Sequence, residues 1–248
     1  MTKLVYIFTV ATFSFFLNTH AFSNKIQKSS DPKNNFIDHS VWEGLLKKYV
    51  SENGNVNYKG FKKDEALLNN YIEYLSTKVP SKNSVKQEIL AYWINAYNAL
   101  TVSLIIRNYP VKSIKDIKNP WGQRLWKLGD KMYNLEEIEH EILRKMNEPR
   151  IHFAIVCASY SCPKLLNEAF RAENLESQLT NAAKAFLADK NRNEISEKSI
   201  EISKIFDWFS KDFTQNGSLI DYLNQFTDIT IAPDAKKRFK EYNWALNE

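Results

Sequence analysis

The segment from Val85 to Arg107 constrains the fold of this chain more than any other feature. It is dense in Leu, Ile, Trp, Tyr and Ala, begins after Ser84 and ends before Pro110. Serine is a common helix N-cap, and proline cannot continue a helix. Because apolar residues cover most of its circumference, the segment predicts a central helix that is buried on all sides. The rest of the chain has to surround this helix, so we expect a single globular domain over residues 36–248.

Shorter patterns around this helix predict a mixed fold. Two short apolar segments flank Gly129-Asp130 within residues 125–135, which indicates a β-hairpin, and residues 194–202 favour a second pair of strands. Helical spacing of apolar residues recurs at 36–50, 64–75, 175–187, 206–213, 219–226 and 235–242. We therefore predict the α+β class: a mostly helical single domain with a small, largely antiparallel sheet and a buried central helix.

The N-terminus has the pattern of an export signal. Lys3 precedes an apolar run from Leu4 to Leu17, and Thr19-His20-Ala21 supplies a small residue before a polar stretch. This order is typical of a secretory signal peptide over residues 1–21. The run is shorter than the roughly 20 residues that cross a bilayer, although an uncleaved anchor is the alternative. We expect a flexible mature N-terminus over residues 22–35, no stable membrane span after cleavage, and a periplasmic or secreted protein.

Composition limits the partners and cofactors. The net charge of +5 is mixed in sign, whereas nucleic-acid binding calls for clustered Lys and Arg, so we expect no nucleic acid. The chain has two cysteines and four histidines, none of the histidines at His-x-x-x-His spacing. Two cysteines are too few for a Cys-rich zinc site, and a His-x-x-x-His pair is missing, so we expect no metal and no cofactor. The expected partner is a small-molecule or peptide ligand of unknown identity.

Both cysteines lie where a short apolar run ends. Residues 150–157 contain β-branched and aromatic residues and predict a buried strand, which Pro163 and the preceding polar residues cannot continue. Side chains alternate along a strand, so His152 should face away from Cys157 unless a bulge intervenes. A thiol at the end of a rigid element is a candidate nucleophile, although a buried structural cysteine is the commoner fate.

A second polar pattern offers the partner for this thiol. Asn134 followed by Glu137 resembles a capping box that opens a helix through Lys145. On that helix Glu136, His140 and Arg144 are spaced four apart and form one stripe, either a surface salt-bridge ladder or part of a site. We predict Cys157 as the nucleophile and His140 as its general base, with a ring nitrogen of His140 within about 5 Å of the sulfur.

Two amides inside the central helix complete the candidate set. Asn95 and Asn98 lie three residues apart on one face of an apolar helix, where each needs hydrogen-bond partners. They either brace neighbouring backbone or act in catalysis, by orienting a partner or by donating to an oxyanion. Glu136 is the other candidate orienter. We assign ligand contact to Trp93, Tyr97, Arg144, His152 and Ser161.

These motifs together resemble a known family. The matching segments are Tyr92–Leu100, Ile138–His140 with Leu143-Arg144, Arg150–Ala154 with Cys157, Ser161–Pro163, Trp208, Asp212-Phe213 and Tyr242–Asn247. They are similar to domain-of-unknown-function family 547, in its bacterial, exported branch. The resemblance places functional positions at His140, Arg144, His152 and Cys157. It also implies that the position of Cys162 can be serine, which argues against an obligatory disulfide and favours Cys157 as a free, functional thiol.

Three functional hypotheses follow from these residues. The first is a cysteine-based hydrolase or acyl transferase with a Cys157/His140 site. The second is a non-enzymatic binding module in which the same polar cluster is structural or lines a ligand pocket. The third is a redox pair of Cys157 and Cys162, which ranks last because their spacing differs from Cys-x-x-Cys.

Overall fold

The computed structural model describes Met1, residues 37–81 and residues 83–248. The predicted signal peptide and the predicted flexible segment therefore lie outside the described residues, apart from Met1. Backbone contacts group the residues from Phe36 to Glu248 into one compact unit.

Helices make up most of the regular structure in this unit. The α-helices are α1 (Ser40–Tyr49), α2 (Tyr58–Lys63), α3 (Glu65–Ser76), α4 (Lys86–Asn108), α5 (Leu135–Glu137), α6 (Leu175–Ala188), α7 (Ile205–Trp208), α8 (Ser210–Phe213) and α9 (Leu219–Leu223). A π-helix over Ile138–Leu143 extends α5, and 3-10 turns cover Ile114–Asp116, Arg144–Met146 and Pro149–Phe153.

The central helix is α4, as the sequence predicted. Its residues from Leu90 to Ile106 are all buried, because α2, α3 and the π-helix pack around it. Within the described part of the chain, α4 is the one helix long and apolar enough to cross a membrane. However, 94% of that apolar stretch is buried inside the protein, as expected for a core helix.

The strands form two small sheets. β1 (Trp126–Leu128) and β2 (Lys131–Tyr133) make the predicted antiparallel hairpin, in which Gly129 adopts a positive φ of 61°. In the second sheet β4 (Ser199–Ile202) lies between β3 (Glu194–Ile195) and β5 (Lys236–Phe239). β3 pairs with β4 antiparallel, whereas β5 pairs with β4 parallel. The predicted α+β class with a largely antiparallel sheet and a buried central helix is confirmed.

The prediction of a helix over residues 235–242 is wrong. Ala235, Phe239 and Tyr242 are spaced like a helix face, but Lys236–Phe239 is the strand β5. The free edge of β4 supplies its backbone partners: Lys236 N–H donates to Lys198 O at 3.0 Å, and Lys240 N–H donates to Ile202 O at 2.8 Å. Pairing with the edge of β4, more than thirty residues upstream, thus outweighs the helix-like spacing of apolar residues in this segment.

The predicted strand before Cys157 is also wrong. Pro149–Phe153 is a 3-10 turn, which Pro149 starts and the Glu148 side chain caps, and a loop follows it. Short apolar runs fit a strand or another buried element equally well by their pattern alone. The hydrogen bonds that a strand ladder would have given to this loop come from Asn98 instead, as described below.

The C-terminal tail crosses the unit without forming a named strand. Its backbone binds three separate segments, through Tyr160 N–H to Ala245 O (2.7 Å), Leu246 N–H to Lys112 O (3.0 Å) and Val56 N–H to Asn247 O (2.7 Å). The buried hydroxyl of Tyr58 also donates to the Asn247 side chain at 2.7 Å. These contacts fix the tail, and with it Tyr242 and Trp244.

Candidate functional site

Asn98 holds the loop that carries Cys157. Its amide nitrogen donates to Ala154 O at 2.9 Å, and its amide oxygen accepts from Val156 N–H at 2.9 Å. Both contacts are buried, so the backbone immediately before Cys157 is fixed from the middle of α4. Ala158, immediately after Cys157, adopts a positive φ of 57°, which is unfavourable for a residue with a Cβ.

Asn95 fixes the backbone at Phe170 in the same way. Its amide donates to Phe170 O at 2.7 Å and accepts from Phe170 N–H at 3.0 Å. Each of the two amides therefore uses its oxygen and its nitrogen on backbone groups. Of the two roles left open by the sequence, this arrangement is the backbone brace.

The thiol of Cys157 is surrounded by hydrogen-bonding groups. Its Sγ lies 3.1 Å from Ser159 Oγ, 3.2 Å from the Tyr242 hydroxyl and 3.2 Å from Cys162 Sγ. The hydrogen bond with Cys162 is the largest cause that lowers the pKa of Cys157, to about 7; burial opposes it, and Ser159 and Tyr242 add to the lowering. Such a pKa gives a substantial thiolate population at neutral pH.

Cys162 has the opposite character. It is only 4% exposed, and burial together with the neighbouring Cys157 raises its pKa well above the ordinary value of a thiol. Its Sγ accepts the backbone N–H of Cys157 at 3.1 Å. Both cysteines are free in the structure. The two neighbouring thiols therefore differ in acidity: the pKa of Cys157 is lowered, whereas that of Cys162 is raised.

A charged network lies beside this thiol. Arg144 binds Asp212 through two parallel hydrogen bonds of 2.6 and 2.9 Å, and its third contact is His140 Nδ1 at 3.1 Å. His152 Nε2 lies 2.8 Å from the same carboxylate. Burial raises the pKa of Asp212, but the hydrogen bonds from His152 and Arg144 outweigh it and hold that pKa well below its ordinary range. Burial lowers the pKa of His152, so this imidazole is neutral at neutral pH.

Two acidic residues of the helix that Asn134 opens have different surroundings. Asn134 caps α5 by accepting Glu137 N–H at 2.8 Å, as predicted. Glu136 lies on α5 and faces solvent, whereas Glu139 lies on the π-helix and accepts a hydrogen bond from Tyr97 at 3.0 Å. Of the predicted stripe, only His140 and Arg144 are hydrogen-bonded to each other. Burial raises the pKa of Glu139.

A cavity of about 220 Å³ joins these groups. Cys157, His140, His152, Tyr97 and Glu139 all line it, so the structure brings together the predicted thiol, both predicted imidazoles and one predicted contact residue. Among the described residues, neither imidazole makes a hydrogen bond with the Cys157 thiol. The placement of His140 closer than His152 to the sulfur therefore stays a prediction. The strand-parity reason for it is wrong, because residues 150–157 form no strand.

Aromatic side chains form one wall of the cavity. Tyr242 packs against Trp208 and Trp244, with ring centroids 4.8 and 4.6 Å apart, and Trp121 meets Trp244 edge-on at 5.9 Å. Trp208 is 44% exposed, so this wall opens to solvent. Phe209, between α7 and α8, stacks on His152 at 4.1 Å and holds the imidazole in place.

Six predicted site residues lie away from the cavity lining, among them the two bracing amides Asn95 and Asn98. Glu136 is exposed, and Trp93 packs in the core against Tyr133 with ring centroids 5.2 Å apart. The Ser161 hydroxyl accepts Asn243 N–H at 2.9 Å, which fastens the C-terminal tail. Arg144 also does not line the cavity, but it touches His140, which does.

Sequence reasoning missed four residues that matter here. Glu139, Ser159, Asp212 and Tyr242 bind the predicted site residues directly. Glu139, Asp212 and Tyr242 stand within the segments that carry the family resemblance, which was the available signal. No spacing rule joins residue 157 to residue 242. In the described part of the chain, no group of three or more His, Cys, Asp or Glu side chains is placed to hold a metal ion.

Comparison with known proteins gives one match. The family described as "Protein of unknown function, DUF547" matches residues 80–187, which supports the family resemblance over that segment. The match includes α4, the π-helix and both cysteines. No curated protein and no solved structure matches the chain.

Proposed function

We propose, with the family match over residues 80–187 as the premise, that the cavity is the active site of a cysteine-based hydrolase or acyl transferase. Cys157 is its nucleophile. The observation that carries the proposal is the environment of this thiol: it lines a cavity, its pKa is lowered to about 7, and two imidazoles line the same space. A thiol with these neighbours is suited to nucleophilic catalysis.

The reaction proceeds in two steps. The Cys157 sulfur attacks the carbonyl carbon of an ester, thioester or amide, the bond to the leaving group breaks, and the acyl group stays on the sulfur. The proton of the thiol passes to an imidazole and then to the leaving group. Water in a hydrolase, or an acceptor nucleophile in a transferase, then takes the acyl group and restores the thiol.

Hydrogen bonding favours different roles for the two histidines. Arginine can only donate, so Arg144 occupies the Nδ1 lone pair of His140, and the hydrogen of neutral His140 is on Nε2. In His152 the two ring nitrogens have the opposite arrangement: Nε2–H donates to the Asp212 carboxylate, and the Nδ1 lone pair stays free. His152, oriented by Asp212, is therefore suited to accept a proton, and His140 is suited to donate a hydrogen bond to the carbonyl oxygen.

Acyl-enzyme trapping tests this proposal. Wild-type protein incubated with aryl esters, thioesters and short peptide esters should gain one acyl group by intact mass, and peptide mapping should locate it on Cys157. Cys157→Ser should gain none, and the matched Cys162→Ser variant should still be acylated. No adduct on any of these substrates would overturn the proposal.

Histidine variants test the division of roles. His152→Asn should slow acylation by roughly 10²–10⁴-fold, the contribution usual for general acid–base catalysis. His140→Asn should slow the removal of the proton from the Cys157 thiol by a smaller factor. A larger loss for His140→Asn would return the base role to His140, as the sequence alone predicted.

A second candidate function is ligand binding without chemistry. It is favoured by the exposed aromatic wall of Trp208, Tyr242 and Trp244, which offers ring faces to a small molecule or a peptide. Tryptophan fluorescence of Cys157→Ser should report such binding in the absence of turnover. Binding by this variant, together with no acylation of the wild type, would favour the binding module.

We also propose that the protein is exported to the periplasm or secreted, as a member of the exported, bacterial branch of the family. The support is the order of Lys3, the apolar run and Ala21. N-terminal sequencing of the exported protein should begin at Phe22. An intact Met1 on membrane-extracted protein would contradict cleavage.

A further inference from the structure

We propose that Cys157 and Cys162 form a hydroperoxide-reactive pair, in which Cys157 is oxidised first and Cys162 converts it to an intramolecular disulfide. This inference rests on the same Cys157 thiol as the proposed function, but it adds a redox reaction and a second residue. It also reverses the ranking from the sequence, where the spacing of the two cysteines argued against a redox pair.

The two sulfurs are already in contact. Cys157 Sγ lies 3.2 Å from Cys162 Sγ, and a disulfide bond requires about 2.05 Å, so an approach of roughly 1 Å joins them. Cys157 lines the cavity and is half-buried, which gives a small peroxide access to it. Cys162 lines the same cavity but is only 4% exposed, so Cys157 is the more accessible of the two thiols.

Contacts from outside the short loop keep the two cysteines adjacent. Asn98 fixes the backbone before Cys157, and Arg192 Nε donates to Cys162 O at 2.9 Å. Ser159, between them, forms a bridge with Leu246 of the C-terminal tail. The pair therefore does not depend on Cys-x-x-Cys spacing, because tertiary contacts supply the proximity that this motif supplies locally.

The two thiols differ in acidity, as oxidation of Cys157 and its later attack by Cys162 require. The thiolate is the form that attacks a peroxide, and the pKa of Cys157 is lowered to about 7 by its hydrogen bonds, first of all the one with Cys162. Burial keeps Cys162 protonated by raising its pKa. Cys157 is thus the first to react, and Cys162 is the resolving thiol.

The reaction balances with one hydroperoxide as the oxidant. The Cys157 thiolate attacks one peroxide oxygen, the O–O bond breaks, and Cys157 becomes a sulfenic acid while the other oxygen leaves as hydroxide or alkoxide and takes up a proton. Cys162 sulfur then attacks Cys157 sulfur, the S–O bond breaks, and the hydroxyl leaves as water with the proton of Cys162. Two thiols are oxidised and one hydroperoxide is reduced. Two equivalents of an external thiol restore the reduced pair through a mixed disulfide and leave as their own disulfide.

Intact mass after one equivalent of hydrogen peroxide tests the pair. Wild-type protein should lose two hydrogens and become resistant to alkylation, and a reducing thiol should reverse both changes. Cys162→Ser should instead gain one oxygen, trapped by dimedone on Cys157. Cys157→Ser should remain unoxidised and alkylatable under denaturing conditions.

Two outcomes would overturn this inference. One is a wild-type protein that keeps two alkylatable thiols after peroxide treatment. The other is a wild-type protein that accumulates sulfinic acid on Cys157 at the same rate as Cys162→Ser, since a resolving thiol should prevent it. Disulfide formation without acyl trapping would contradict the proposed function alone, whereas acyl trapping without the disulfide would contradict this inference alone.

Discussion

The hydroxyl of Tyr242 lies 3.2 Å from the sulfur of Cys157, although 85 residues separate the two in the sequence. The same hydroxyl lies 2.8 Å from Ser159 Oγ, so the three groups form one hydrogen-bonded cluster. Tyr242 reaches this position because the C-terminal tail is fastened to residues 160 and 161 by backbone hydrogen bonds. The tail therefore supplies part of the environment of the thiol.

Removing this hydroxyl should make the thiol less acidic. In Tyr242→Phe we expect the pKa of Cys157 to rise by about one unit, because a hydrogen bond to a charged group contributes about 1.5–3 kcal/mol and one pKa unit corresponds to about 1.4 kcal/mol. The pH dependence of alkylation by iodoacetamide, followed on Cys157 by peptide mapping, measures this shift. Tyr160→Phe is the matched control, since Tyr160 is exposed and its hydroxyl is not among the hydrogen-bond partners of the thiol. Equal profiles for Tyr242→Phe and wild type would contradict the prediction.

The brace from Asn98 should matter for both stability and the thiol. Asn98→Ala leaves Ala154 O and Val156 N–H buried without their partner, and we expect the free energy of unfolding to fall by about 2–4 kcal/mol. Asn95→Ala should lower the free energy of unfolding by a similar amount, because Asn95 braces the backbone of Phe170 in the same way. Urea denaturation measures both losses.

The reactivity of Cys157 should distinguish the Asn98→Ala variant from the Asn95→Ala variant. Only Asn98→Ala should change the alkylation rate of Cys157, because only Asn98 holds the loop before it. An Asn95→Ala variant that folds normally but loses acylation would instead indicate a catalytic role for Asn95.

The ion pair of Arg144 and Asp212 should be strongly coupled. Both side chains are largely shielded from solvent, and the pair has two parallel hydrogen bonds. A double-mutant cycle with Arg144→Met and Asp212→Asn should give a coupling free energy of about 2 kcal/mol, between the ranges for exposed and buried pairs. The matched control is Lys240 with Glu194, whose carboxylate is 65% exposed and whose coupling should stay below about 1 kcal/mol. Equal coupling in both pairs would contradict the prediction.

A buried histidine far from the cavity should make the fold sensitive to acid. His39 is 3% exposed and bonds the Tyr71 hydroxyl at 2.6 Å, and burial lowers its pKa from 6.5 to about 4. The unfolded chain therefore binds a proton that the folded chain does not. The free energy of unfolding should fall by about 3 kcal/mol as the pH drops from 6.5 to 4, and this group causes no loss above that window.

Urea denaturation at several pH values between 7.5 and 4.5 measures this effect. His39→Gln should lose part of the acid sensitivity, because glutamine does not titrate, while the lowered pKa of His152 leaves a remaining slope in the same direction. Val41→Ala, at an exposed neighbouring position, should retain the wild-type profile. An unchanged slope in His39→Gln would show that His39 is not the titrating group.

Several elements could be predicted from the sequence because their causes are local. The buried helix α4, the hairpin around Gly129 and the cap at Asn134 each depend on residues within one element or one turn. The family resemblance and the pattern around Cys157 also selected side chains that the fold brings together, since Cys157, His140, His152 and Tyr97 line one cavity; their roles stay predictions.

The errors arose where a distant partner replaced a local one. The segment before Cys157 is no strand, because Asn98 supplies its backbone hydrogen bonds from more than fifty residues away. Residues 236–239 are a strand because the edge of β4 was free to pair with them.

Sequence by itself thus determined the α+β class, the central helix and the region of the thiol, since periodicity, capping and composition act over a few residues. Only the tertiary structure decided which groups surround Cys157. Glu139 rather than Glu136 contacts Tyr97, and the docked tail places Tyr242 beside the sulfur. The physical reason is that buried polar groups take whichever partner the packed chain places beside them, and separation along the sequence does not limit that choice.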